Sequence, residues 1–403
     1  MGATQRRYRL VAARKAAGYT QEQLAELLHV ERSTVNRWEV GKFAPQPYLW
    51  PKLAKLLGLR SEQLQALLAN ERTEGDMNRR SLVKWGIITA AAAGLNGSDS
   101  PAIGMADVHR LRQATTRLHR LDQQHGGDDL WRSAVALARD SEQLLNHGRY
   151  NDTVGRHLLS ATGALSVCAG WLAFDAGQQN IARTCFTDAL MMSRQAGDPY
   201  IEVRALANLS LQSNRLNRPR EASRFAGGAE QSAASAGSPH LRALPQLRVA
   251  TTNAITGNAR DVDTALASAY RALEQAPDTA EAWSSFLTPS EVDAVAAACA
   301  ITLGRPSQAA TLLDKAIGGY ARDCGRNLAL YRVRLAQARL DMGEVDGAAE
   351  TADRALDDLV GRVASWRVTE ELDALAAQLR TYATVDGVAG FLARHKALTG
   401  EMA

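Results

Sequence analysis

"YTQEQLAELLHVERSTVNRWEVGKFAPQPYLWPKLAKLLGL", Tyr19 to Leu59, decides how the first part of this chain folds. Thr20 precedes a run of helix formers, and Gln23 stands three positions on, so that a hydroxyl and a side-chain amide can cap each other's backbone. Leu24, Leu27 and Leu28 form the apolar stripe of this helix. His29 and Val30 leave room only for a tight turn. "RSTVNRWE" then offers Val35 and Trp38 to a core at helical spacing, while Arg32, Ser33, Asn36 and Arg37 occupy its other face. Two short helices in tight succession, the second rich outward in groups that hydrogen-bond base edges, meet the demands of a helix-turn-helix.

Arg14, "TQEQLA" (Thr20 to Ala25), "STVNRWEVGKFAP" (Ser33 to Pro45) and "LAKLLGL" (Leu53 to Leu59) occur in an order that resembles the Xre family, the group of the lambda-type phage repressors and Cro. The resemblance covers Arg6 to Leu59 and implies a five-helix, lambda-repressor-like DNA-binding domain over residues 1–75. By the same resemblance Gln21 braces a DNA phosphate, and Arg32, Ser33 and Arg37 reach base edges with Thr34 and Asn36 beside them. Arg14 and Glu39 would form a buried pair. Arginine pairs bidentately with guanine and asparagine with adenine, each worth about 1–3 kcal/mol of discrimination. Lys42, Arg6, Arg7 and Arg9 are expected near phosphates. One such domain has a small footprint, so a homodimer on two half-sites of a double-stranded operator is expected.

Charge supports this division. The chain has 403 residues and a net charge of +4, yet residues 1–85 carry 15 Lys/Arg against 8 Asp/Glu, and the rest 32 against 35. A basic head on a mildly acidic body points the head at a polyanion. Aromatic residues are only 5% and alanine is abundant, which favours close-packed helices over a β core. Cys168, Cys185, Cys299 and Cys324 lie far apart without a CxxC pair, so they read as small buried hydrophobes in a reducing cytoplasm.

From residue 105 to 403 the text is helical and repetitive. Small residues recur at Gly170, Ser210, Ala250, Ala297, Ala336 and Ala377. An alanine follows each by 12 to 15 positions, at Ala182, Ala222, Ala265, Ala309, Ala348 and Ala389. Two antiparallel helices approach closely only where the crossing point carries small side chains, and successive pairs then stack into a solenoid. The spacing resembles tetratricopeptide repeats, with a period near 40 residues and few of that family's aromatic landmarks. The whole chain is therefore expected to be all-α: a helix-turn-helix head followed by a tetratricopeptide-like α-solenoid that senses and dimerises. "EQAPDTAEAWSSFLTPSE" (Glu274 to Glu291) widens the third interval, as an inserted loop at a groove mouth or as a long turn.

In such an array the first helices face a common groove. Trp171, Asp175, Asn214, Arg215, Gln337 and Asp341 fall on inward positions and are the candidate ligand-binding residues. Val108, Leu111, Leu118 and Leu121 form a stripe on an earlier helix that Gly126 and Gly127 end, a segment resembling one in actinobacterial regulators that join an Xre head to repeats. Its histidines, His109, His119 and His125, are read as surface residues.

Residues 76–104 join the two parts. "MNRRSLVKWGIITAAAAGLNGSDS" (Met77 to Ser100) has a twin-arginine look, but its apolar core is about eleven residues, short of the roughly 20 that span a bilayer. It is read as a connector helix capped by Ser81, packed on the first repeats or on a dimer mate. Initiation at Met77 would instead give a shorter exported product.

No phosphate loop, dinucleotide fingerprint, zinc-protease or nucleophile-elbow motif is present, so no catalysis, cofactor or metal is expected. The sequence reads as a cytoplasmic, non-membrane transcription regulator. Its repeats would bind a ligand, by resemblance to Gram-positive quorum-sensing regulators a short peptide, with a small molecule or protein partner open. The competing reading is a scaffold in which repeats hold protein partners and the head only localises or dimerises.

Overall fold

The structure is a computed structural model that describes residues 10, 13–14, 17–28, 30–39, 45, 49–59, 102–276, 284, 286–320, 325–359 and 363–399. The chain is all-α and divides into two compact units, Met1–Gly86 and Ile87–Ala403. Among the described residues the only strand-like pairing is an isolated bridge between Ala102 and Arg149. Lys42, the basic residues Arg6, Arg7 and Arg9, Cys324, and residues 76–101 of the connector lie outside the described residues.

In the first unit, α1 (Gln21–Leu28), α2 (Arg32–Glu39) and α3 (Trp50–Leu56) surround a core of Leu10, Leu24, Ala25, Leu28, Val35, Trp38, Leu49, Leu53, Ala54 and Leu57. The cap forms as its residues dictate: Thr20 Oγ1 accepts from Gln23 N at 3.1 Å, and Gln23 Oε1 accepts from Thr20 N at 2.8 Å. Leu27 departs from the expected stripe and is exposed. At 100° per residue the buried arc runs from Leu24 through Leu28 to Ala25, and Leu27 falls beyond it.

The second unit begins with α4 (Met105–His125) and α5 (Trp131–His147). Six helix pairs follow: α6 (Asp152–Asp175) with α7 (Gln179–Ala196), α8 (Pro199–Arg215) with α9 (Pro219–Ala236), and α10 (Pro239–Ile255) with α11 (Ala259–Glu274). The remaining three are α12 (Pro289–Thr302) with α13 (Pro306–Gly319), α14 (Gly325–Asp341) with α15 (Val345–Leu359), and α16 (Trp366–Leu379) with α17 (Asp386–Thr399). First helices start on strong caps: the side chains of Asn151, Asp198, Ser238, Thr288 and Ser365 each accept a backbone N–H from the first turn. Proline at the first or second helical position of α8, α10 and α12 reinforces the start.

The small-residue register is what brings the pairs together. Ser210, Ala250, Ala297 and Ala336 are fully buried, as are Ala182, Ala222, Ala309 and Ala348 in the partner helices. At Gly170 even a methyl is excluded, because a Cβ would lie 2.6 Å from the ring of the buried Phe186. The last pair shifts by one residue: Ala377 and Ala389 are exposed, and Ala376 and Val388 take the buried places. Seven positions after the small residue the chain turns through a left-handed residue, at Gly177, Asn217, Gly257, Gly304 and Gly343. The following N–H then closes on the carbonyl five back, as in Arg218 N to Ser213 O at 2.8 Å.

Helix α6 is the one described helix long and apolar enough for a bilayer by composition. Its apolar surface is spent inside the unit, against α4, α5, α7 and α8. Cys168, Cys185 and Cys299 are free, buried thiols, and burial pushes Cys185 up to about 11 and Cys299 up to about 12.

Candidate functional site

In the first unit, helix α2 presents two chemically opposed faces. Val35, Trp38 and Glu39 point into the core. Arg32, Ser33, Asn36 and Arg37 are exposed on the other side, with Thr34 half-buried at the edge. What fixes this orientation is Glu39, buried to 1% exposure. Its Oε1 accepts from Arg14 Nε at 2.6 Å and its Oε2 from Gln21 Nε2 at 2.5 Å. Arg14 Nη1 also donates to Tyr19 O at 2.7 Å, so a single carboxylate ties the residues before α1, the start of α1 and the end of α2. Outward, Arg32 Nε meets Glu22 Oε1 at 2.7 Å, and Ser33 Oγ donates to Glu31 Oε2 at 2.9 Å. Exposed pairs like Arg32 with Glu22 contribute about 0–1 kcal/mol, so a phosphate or a guanine edge can displace the acid.

In the second unit the first helices of all six pairs face one chamber of about 430 Å3. Its wall includes Val167 and Trp171 from α6, Arg204 and Asn208 from α8, Leu244 and Arg248 from α10, and Glu291 and Val295 from α12. Arg326, Tyr331 and Arg334 come from α14, and Arg367 from α16. Helix α4 does not lie outside this array. It packs against α6 and α14, and contributes His119, Asp122 and Gln123 to the same wall.

A buried ion-pair network forms part of its wall. Arg326 Nη2 reaches Asp122 Oδ2 at 2.9 Å, and Nη1 lies 3.7 Å from Asp175. Arg367 Nε meets the same Asp175 at 3.0 Å, and Trp171 Nε1 donates to Asp122 at 2.9 Å. Burial pushes the Asp122 carboxyl up to about 6 despite Arg326 beside it. Asp175 is held below the usual carboxylate range: burial opposes this, but Arg326 and Arg367 outweigh it. Elsewhere in the wall Arg334 forms a bidentate pair with Glu371, both bonds 2.9 Å, and Tyr320 and Tyr331 both donate to Glu291 at 2.5 Å. His119 receives Arg204 on Nε2 at 3.0 Å. Burial, and then Arg204, holds its pKa down at about 3, so the ring is neutral with its proton on Nδ1.

Residues 10–64 match a protein-family model described as "Helix-turn-helix". The N-terminal domain is a helix-turn-helix domain. No curated protein matches the chain. Two solved structures are similar at low levels. One is a Signal Transduction ATPase with Numerous Domains, with a tetratricopeptide repeat sensor, from Pyrococcus horikoshii: 10% identity, TM-score 0.39, 98% of this chain and 62% of that chain covered. The chain thus spans less than two thirds of that protein's length. The other is the APC/C hetero-tetramer Cut9-Hcn1: 12% identity, TM-score 0.32, 90% and 88% covered.

The helix-turn-helix domain places Arg32, Ser33, Asn36 and Arg37 together on the exposed face of α2, with Gln21 engaged by Glu39 at the start of α1. Of the six repeat residues read as ligand-binding, Trp171 is in the chamber wall. Asp175 is fully buried under Arg326, Arg367 and the N–H of Gly127. Asn214 donates to Thr252 Oγ1 at 2.9 Å, and Arg215 pairs with Glu370 while lying over the Trp366 ring. Gln337 donates to Asp341 at 2.8 Å and to Gln378 at 3.0 Å on an exposed surface. His119, read as a surface residue, stands in the wall. The insertion between the third and fourth pairs also reaches it, through Phe286 and Thr288.

The charged wall residues that sequence reading passed over are chiefly arginines: Arg204, Arg248, Arg326, Arg334 and Arg367. A signal for three of them was present. "VRALA", "LRVAT" and "VRLAQ" each set an arginine inside the apolar, small-residue run of a first helix, where a solvated charge has no place.

Proposed function

We propose that the protein is a cytoplasmic transcription regulator. Its helix-turn-helix domain reads an operator as part of a homodimer, and its repeat unit senses a ligand, a short peptide or small molecule, that changes operator affinity. The observation that carries the DNA-binding part is the recognition helix, with Arg32, Ser33, Asn36 and Arg37 outward on one side and the Glu39 clasp locking the other. Phosphate contacts set register and the arginines and Asn36 read bases.

The sensing part is supported by the chamber in which six repeat units and α4 converge on one volume lined by apolar and charged side chains. A ligand there binds one arrangement of the first helices better than another and so shifts their population. The connector, residues 76–104, transmits the shift to the dimer, and the spacing of two recognition helices changes against half-sites of fixed spacing. No catalytic step is involved.

The test is a mobility shift on DNA from upstream of the protein's own gene, comparing the native chain with an Arg32→Ala, Arg37→Ala double variant. Specific binding should be lost while weak non-specific binding at low salt remains. A double variant that binds the operator as tightly as the native chain sinks the assignment of α2 as the reading helix.

A further inference from the structure

The groove of a helical-repeat array ordinarily accepts an extended chain, but here α4 lies within it. Helix α4 is held by Arg326 on Asp122, by Arg204 on His119, and by the Ala364 N–H on His125 O at 2.7 Å. What remains is a compartment of about 430 Å3, at the small-molecule end of ligand cavities.

Among the described residues, its carboxylates are engaged. Asp122 and Asp175 are taken by Arg326 and Arg367, and Glu371 by Arg334. Arg248 lines the same compartment and is 8% exposed, yet among the described residues it has no ion pair and its Nε has no hydrogen-bond partner. Two other wall atoms are unpartnered, Asp122 Oδ1 and Arg326 Nε, but those side chains are already committed to each other. Burial brings the Arg248 guanidinium down to about 10. Glu291 is its main electrostatic counterweight, and that carboxylate is already shared by two tyrosines. A buried guanidinium nitrogen left without a partner is costly, which an incoming anion would relieve.

We propose that the ligand of this chamber is a compact molecule bearing a carboxylate, seated on the Arg248 guanidinium with its apolar body against Trp171, Leu244 and Phe286. The planar fork of arginine matches a carboxylate, and the aromatic and aliphatic wall around it takes the rest. This rests on the reading of the repeat unit as a sensor and names the chemistry it senses.

Calorimetric titration of the full-length protein with 3-phenylpropionate and with 3-phenylpropionamide tests it. The acid should bind about ten-fold or more tighter than its neutral amide, the size of one charge-assisted hydrogen bond. Arg248→Met should erase that preference while leaving the unliganded melting temperature unchanged or higher, and Arg248→Lys should keep part of it. A second pair, Ala-Ala-Phe and its C-terminal amide, tells whether the carboxylate arrives on a small acid or on a chain end. Equal binding of acids and amides, binding of none of the four, or an unchanged preference in Arg248→Met overturns the proposal. Operator affinity measured with and without the acid separates the two claims. Binding through Arg248 that leaves operator affinity unmoved keeps the anion site and removes the sensor. A neutral ligand that binds and moves operator affinity does the reverse.

Discussion

Arg326 and Asp122 meet at 2.9 Å across 204 residues of sequence, and both side chains are only 5% exposed. The pair joins α4, which precedes the repeats, to α14 in the fifth pair. Asp175, at the end of α6, sits on the same guanidinium, and through Arg367 it reaches α16. The two ends of the repeat array are thus tied through two cations and two carboxylates, with α4 between them.

That arrangement makes Arg326 matter more than either acid. Arg326→Met would leave two buried carboxylates to Arg367 alone, and breaking a buried pair from one side costs about 3–5 kcal/mol. Asp122→Asn should cost far less. Burial already raises the Asp122 carboxyl to about 6, so its charge is net unfavourable, and an amide oxygen still accepts from Trp171 and Arg326. Urea denaturation should show a large loss for Arg326→Met and a change within about 1 kcal/mol for Asp122→Asn. Equal losses would mean that charge pairing does not hold α4.

His119 gives the repeat unit a pH dependence of known sign. Its pKa is held at about 3 by burial and by Arg204, below the usual 6.5. The unfolded chain therefore binds the proton more readily, and the stability that neutral His119 allows is complete above pH 6.5 and lost as pH falls toward 3. In His119→Asn this contribution is absent. The stability difference between native and variant should fall by about 1–2 kcal/mol from pH 7 to pH 5. Asp122 titrates in an overlapping range with the opposite slope, but it is common to both proteins and cancels in the difference. A difference independent of pH would show that the ring is protonated or solvated.

Much of this was legible in the sequence where a local rule had a single solution. The capping box at Thr20, the tight turn before Arg32 and the small-residue series from Gly170 to Ala336 each constrain neighbours, and neighbours fold as local rules dictate. The last pair slipped by one because Ala376 and Ala377 are adjacent and equally small, so composition could not choose between them. The chamber was illegible for a different reason. Its charges pair across long separations, Arg326 with Asp122 and Arg204 with His119, and no spacing rule links residues that meet only when the array closes. Asp175 reads as an inward acid in sequence, and only the arginines beneath it show that it holds the array together.

Gly170 tests the packing rule directly. A Cβ at this position would stand 2.6 Å from Phe186 Cε1 and 3.1 Å from Cys185 Cβ, and Phe186 is 1% exposed with nowhere to turn. Gly170→Val adds three carbons against that ring, and overpacking costs about 1–3 kcal/mol, more than the better helix propensity of valine returns. Thermal melting should show the loss. Phe186→Leu in the same chain should recover part of it, because it removes the atoms that collide. If Gly170→Val melts with the native protein, the close approach of α6 and α7 is not set by this crossing.

The helix-turn-helix domain offers a separation of folding from reading. Glu39 is buried and receives Arg14 and Gln21, so Arg14→Ala leaves a carboxylate at 1% exposure without its cation. The expected loss of about 3–5 kcal/mol is a large share of the 5–15 kcal/mol that holds a typical domain. Arg14→Ala should therefore speed amide exchange throughout α1, α2 and α3 and abolish all DNA binding, specific and non-specific. Arg37→Ala removes an exposed side chain from the other face of α2, so exchange should be unchanged and only sequence preference should fall. Exchange measured by mass spectrometry, beside mobility shifts on operator and random DNA, distinguishes the two. Loss of exchange protection in Arg37→Ala would place that arginine in the fold instead of on the reading face.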